Sequence, residues 1–182
     1  MKTVVILRHA KSDWSDTALR DFDRGLNDRG YRAAEVMGHW AAQAGMRFDA
    51  IVASPAKRVV ETLRRFRAAH GHCPEPRFDL RIYLASAASI AEVVAETAPD
   101  VTRLLIAGHS PGLEEFILEA AGDDPGSELR EAVEEKFPTA AMAVLDFDID
   151  DWTQLADGAE DRARLRAFTR PRDLDPALGP DR

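Results

Sequence analysis

Apolar residues along this chain fall into two alternating rhythms. Val4-Val5-Ile6-Leu7 is short, continuous and β-branched, the pattern of a strand buried on both faces. A polar stretch over 11–27 follows. Over 28–45 the spacing turns helical, with Tyr31, Ala34, Met37, Gly38 and Ala41 on one face and Gly45 placed to stop it. Residues 48–53 read as a second strand. Ser54-Pro55 then predicts a helix start, Ser54 as N-cap and Pro55 in the first helical position, with the helix running to about residue 70. Further strands are expected at 77–80, 103–107 and 141–147, with 165–168 placed to pair with the last. Helices are expected at 89–98 and 111–121, and the acidic segment 122–135 is a loop or short helix.

Strands alternating with helices specify βαβ units, hence an α/β fold: a three-layer α/β/α sandwich around a mostly parallel sheet. One domain over 1–174 is expected, with a frayed Pro- and Asp-rich tail at 175–182. Composition narrows the class. The 182 residues suffice for a core without disulfides, and 45% apolar with 31% charged residues excludes a disordered chain. Cys73 is the only cysteine, which excludes an intrachain disulfide and favours a reducing compartment, so a cytoplasmic location is expected. The leading apolar run is too short for a signal peptide, and no stretch of 18 apolar residues predicts a membrane span. A net charge of -8 argues against a nucleic-acid partner.

In open parallel sheets, ligands bind beyond the carboxyl ends of the strands, where loops and helix N-termini converge. The first predicted strand ends in Arg8-His9, the second in Ser54 with Arg58 one turn further on, and the fourth in Gly108-His109. Two arginines and two histidines thereby reach one edge, a composition suited to an anion and above all to phosphate. Guanidinium groups are permanently charged and bidentate, and helix N-termini add N–H donors. A neutral imidazole facing a phosphoryl group can attack phosphorus, so His9 could form a phosphohistidine that water hydrolyses, with His109 donating to the transferring group. Ser54 is a second candidate phosphate contact.

The segments Arg8-His9-Ala10-Lys11-Ser12, Ser54-Pro55-Ala56-Lys57-Arg58 and Gly108-His109-Ser110-Pro111-Gly112 together resemble the histidine phosphatase superfamily, which is phosphoglycerate mutase-like. The Arg-His-Ala-Lys-Ser form is similar to its SixA-type phosphohistidine phosphatase branch. Arg24-Gly25-Leu26-Asn27, Phe137-Pro138-Thr139-Ala140 and Arg170-Pro171-Arg172-Asp173-Leu174 extend the likeness over 3–174. The resemblance implies His9 as nucleophile, Arg8, Arg58 and His109 as phosphate ligands, and no metal or organic cofactor. Many members carry a carboxylate general acid beyond the third strand or after the second histidine. Residues 80–86 hold none here, and Glu114 and Glu115 lie further along the helix after His109. Without an acid, alkyl phosphates are poorly served, whereas a phosphorylated imidazole can leave neutral. The substrate expected is therefore phosphohistidine in a protein. Small phosphomonoesters are the alternative, and a non-catalytic phosphoprotein-binding module the rival from another class. Oligomeric state is not legible.

Other patterns read as structural. Gly108-His109-Ser110-Pro111-Gly112 also fits the nucleophile elbow of serine hydrolases, but no histidine follows the serine. His70-Gly71-His72-Cys73 has no complementary metal-ligand pair elsewhere, and His39 reads as a surface or partly packed residue. Asp13, Asp16, Asp21 and Asp23 could bind a cation but read better as lining a mobile loop over the site rim, where Trp14 is a candidate substrate contact or, equally, a packing residue.

Overall fold

The computed structural model describes residues 1–180. Six strands, β1 (Lys2–Arg8), β2 (Ala50–Ala53), β3 (Pro76–Phe78), β4 (Arg103–Gly108), β5 (Met142–Phe147) and β6 (Ala163–Thr169), form one sheet in the order β3-β2-β4-β1-β5-β6. The β3-β2, β2-β4 and β4-β1 pairings are parallel, and the β1-β5 and β5-β6 pairings antiparallel. The helices are α1 (Asp28–Gln43), α2 (Lys57–His70), α3 (Ala87–Ala95), α4 (Gly112–Ala121), α5 (Glu128–Glu135) and α6 (Pro171–Leu174). None is long and apolar enough to cross a membrane.

The unbroken apolar run of β1 follows from burial on both faces. Val4 and Ile6 point into a core shared with α3 and α4, while Val5 and Leu7 point into one shared with α1 and α2. The α/β sandwich expected from the sequence is thus present, with an antiparallel edge of two strands. Its close helix contacts require glycine at two places. A Cβ on Gly38 would stand 2.4 Å from the Phe66 carbonyl oxygen where α1 crosses α2, and one on Gly112 would stand 1.8 Å from that of Ala85.

Helix boundaries shift where caps compete. Asn27 caps α1 by accepting from the Gly30 N–H at 2.8 Å, and α2 stops at Gly71 with φ 84. Ser54 is not an N-cap. Its hydroxyl accepts from the Ala56 N–H at 3.2 Å ahead of the helix, and α2 begins at Lys57 with Ala56 in the cap position. The second acidic segment does form a helix, α5. Residues 176–178 make a short 3-10 turn with Leu178 buried, and residues 181 and 182 of the expected tail lie outside the described residues.

Candidate active site

The end of β1 is held from both sides. The His9 N–H donates to the Gly108 carbonyl of β4 at 3.0 Å, and the Arg8 N–H to the Ala141 carbonyl at 3.1 Å. The Ala140 N–H donates to the Arg8 and His9 carbonyls at 3.2 and 3.0 Å. The Ala10 N–H reaches Thr62 Oγ1 at 2.9 Å, and that hydroxyl donates to the Arg58 carbonyl at 2.7 Å. Strand end and helix α2 are therefore locked in one register.

On this frame all five residues selected from the sequence meet. The rings of His9 and His109 lie 5.3 Å apart, centre to centre. Arg58 Nη2 donates to His109 Nδ1 at 3.1 Å, and His109 Nε2 lies 2.7 Å from Ser54 Oγ. Arg8 Nη1 donates to the Phe137 carbonyl at 2.7 Å, which orients its guanidinium from the segment before β5. Freed from capping, the Ser54 hydroxyl supports His109.

These bonds fix which nitrogens carry protons. His9 Nδ1 lies 2.8 Å from the Ala10 carbonyl oxygen, which can only accept, so Nδ1 bears the hydrogen and the Nε2 lone pair is available. Arginine can only donate, so His109 Nδ1 accepts from Arg58 and Nε2–H donates to Ser54. Burial lowers the His9 pKa to about 3 against the opposing bond to Ala10, with the charges of Arg8, His109 and Arg58 adding to the shift. Burial, then the Arg58 charge, lowers His109 to about 4. Both rings are neutral at neutral pH, and His9 presents an unprotonated nitrogen among two guanidinium groups.

Three further residues take part that the sequence did not place among the phosphate ligands. Arg58 Nη1 and Nη2 hold the Asp21 carbonyl and carboxylate at 2.7 and 3.0 Å. The Tyr83 hydroxyl donates to Asp21 Oδ2 at 2.7 Å, and its ring meets His109 edge-on at 5.4 Å. Tyr83 comes from the stretch noted only for lacking a carboxylate. Glu114 lies nearer than its position on α4 suggested: it feels the charge of Arg8 and accepts from the Phe137 N–H, yet burial still raises its pKa.

The loop carrying Asp21 is closed at its neck by a Ser12–Leu26 bridge. It folds around buried Arg24, which donates to the carbonyls of Asp13, Asp16 and Leu19 and lies 3.8 Å from the Trp14 ring centre. Asp13 and Asp16 cap turns of their own loop, which accounts for them without a cation. Ser110 Oγ is buried with no hydrogen-bond partner, so no base serves it. His70 bonds the Met46 carbonyl and the His72 N–H inside the α2 terminus. Among the described residues no cluster of His, Cys, Asp and Glu could hold a metal ion.

A neutral imidazole facing a second imidazole, between two arginines at the carboxyl edge of a parallel sheet, is equipped for phosphoryl transfer. The model of the histidine phosphatase superfamily (branch 1) matches residues 4–82. An uncharacterized protein of Mycobacterium tuberculosis, Rv1276c, is 35% identical over 143 residues, 76% of this chain and 85% of the relative. The solved SixA structure from Nakamurella multipartitia is 29% identical with a TM-score of 0.79, covering 93% of this chain and 96% of its own. That from Agrobacterium tumefaciens is 30% identical with a TM-score of 0.75, covering 93% and 98%. The chain belongs to the histidine phosphatase superfamily, in its SixA-type branch. It is a phosphatase of phosphoglycerate mutase-like fold.

Proposed function

We propose that this phosphatase hydrolyses phosphohistidine in proteins through a phosphohistidine intermediate at His9. The observation that carries the proposal is the Nδ1–H bond from His9 to the Ala10 carbonyl, which leaves Nε2 unprotonated beside Arg8, Arg58 and His109. In the first step His9 Nε2 attacks phosphorus while the bond from phosphorus to the substrate imidazole breaks. The departing ring keeps the proton on its other nitrogen and leaves neutral. In the second step water attacks phosphorus, the bond to Nε2 breaks and inorganic phosphate is released. Arg8 and Arg58 serve as ligands for the phosphoryl oxygens. His109 joins them once the substrate, by drawing Arg58 Nη2 onto itself, releases Nδ1 and raises its proton affinity. Ser54 holds that ring in place and completes the set of site residues.

Two solved SixA proteins, named as candidate phosphohistidine phosphatases, support this substrate class. So does Asp21: Tyr83 first, and Arg58 with it, hold its carboxyl ionised, which disqualifies it as a proton donor for an alkoxide. One observation favours a second reading. The raised pKa of Glu114 near Arg8 offers a proton donor, which would admit small phosphomonoesters. The test compares kcat/KM on a histidine-phosphorylated protein, a sugar phosphate and p-nitrophenyl phosphate, with EDTA present. Preference for the first is expected. A sugar-phosphate preference abolished by Glu114→Gln would establish the second reading, and phosphate binding without turnover on any substrate would leave a binding module.

A further inference from the structure

Building on the phosphohistidine reading, we propose that Asp21 binds the leaving group. Its carboxylate accepts a hydrogen bond from the N–H of the departing imidazole and so selects N-phosphorylated side chains over phosphate esters.

The placement of the site carries this assignment. His9 is 9% exposed and the Arg58 side chain 6%, whereas the Asp21 side chain is 49% exposed. His9, Arg58 and His109 therefore lie inside the site, and the Asp21 carboxylate stands at its mouth. An in-line displacement leaves the departing atom on the side away from the attacking nitrogen, which here is the mouth. Beside it stands Tyr83, whose ring contacts His109 at 5.4 Å and Phe22 at 5.1 Å, giving an aromatic wall suited to a flat ring. The groups facing the Asp21 carboxylate are Arg58 and His109 from within and the Tyr83 hydroxyl from the side. Arg58 and Tyr83 fix its direction and keep it charged.

The chemistry balances without an added acid. As the bond between phosphorus and His9 Nε2 forms, the bond to the substrate ring nitrogen breaks and its electron pair stays on that nitrogen. The proton on the other ring nitrogen does not move. Asp21 raises the proton affinity of that ring, so the substrate enters protonated at a pH where the free phosphoimidazole has lost its proton. A phosphate ester has no such proton to offer the carboxylate.

The experiment measures kcat/KM against pH for the wild type, Asp21→Asn and Asp21→Glu, on a histidine-phosphorylated protein and on p-nitrophenyl phosphate. Asp21→Asn keeps the shape and an acceptor for Tyr83 and Arg58 while removing the charge. It is expected to lose roughly 10- to 100-fold on the phosphohistidine substrate, the value of a hydrogen bond to a charged group. Its alkaline limb should move to lower pH, and its loss on the aryl phosphate should be much smaller than on the phosphohistidine substrate. Asp21→Glu should keep the preference. An equal loss on both substrates, or an unmoved alkaline limb, makes Asp21 a strut for Arg58 and overturns the assignment while the phosphohistidine reading stands. A wild-type enzyme inert toward phosphohistidine overturns that reading first, and the role of Asp21 with it.

Discussion

Keeping two neutral histidines at the site floor makes the fold acid-sensitive in a calculable way. His9 and His109 have pKa values of about 3 and 4 in the folded chain against 6.5 when unperturbed. Between those values the unfolded state binds protons that the native state refuses, so stability rises with pH across this window. The contribution is intact above pH 6.5 and is lost progressively as pH falls toward 4 and then 3. At pH 5, which is 1.5 units below 6.5, each histidine costs about 2 kcal/mol at about 1.4 kcal/mol per unit, or about 4 kcal/mol together. That is a large share of the stability of an ordinary domain. The measurement is urea unfolding at pH 8 and pH 5 for the wild type, His9→Asn and His109→Asn. The remaining histidines are common to all three proteins and drop out of the comparison. Each variant should lose about 2 kcal/mol less than the wild type over this interval. Saturating phosphate should also shrink the wild-type loss, because a bound anion favours protonated rings. Parallel pH dependences in all three proteins, or folded-state His9 and His109 ring protons that titrate near 6.5, would refute the reasoning.

Further outcomes follow from the same geometry. Arg58→Ala should lower kcat by about 10²–10³, the cost of removing one preorganised donor, and wild-type kinetics would dismiss it as a phosphate ligand. Quenching turnover in alkali should preserve a phosphoenzyme that acid destroys, because a P–N bond is acid-labile; an acid-stable adduct, or the same adduct in His9→Ala, would name another nucleophile. Gly112→Ala should destabilise the fold by about 1–3 kcal/mol, since its Cβ would meet the Ala85 carbonyl at 1.8 Å, and an unchanged urea midpoint would show that α4 can shift freely.

The candidate site residues were legible because backbone topology alone delivers them. Arg8, His9, Ser54, Arg58 and His109 sit at or just beyond strand ends, and parallel pairing obliges those ends to share an edge. Ser54 was placed correctly but given the wrong local task. Ser-Pro is a sound helix-start signal, yet the hydroxyl bonds His109, a partner 55 positions away that no local pattern reveals. Asp21 was hidden among four acidic residues of one polar stretch, and only the folding of that loop around Arg24 distinguishes it. Tyr83 escaped notice because a search for carboxylates passes over a phenol. The proximity of Glu114 to Arg8 depends on how the Phe137 segment crosses the start of α4, a long-range contact outside any periodicity.

The placement of β1 between β4 and β5 has a bearing on biosynthesis. A ribosome releases β1 and β2 first, but these strands share no edge, because β4 must lie between them. The nascent N-terminal half therefore emerges with its strand edges open, and His9 gains its backbone anchor only when Gly108 has been synthesised. The antiparallel neighbour of β1 is complete only at Phe147. A chain arrested before that point carries every residue of the candidate site but lacks the completed strand that flanks β1, and it should emerge as a chaperone client with no capacity to hold phosphate.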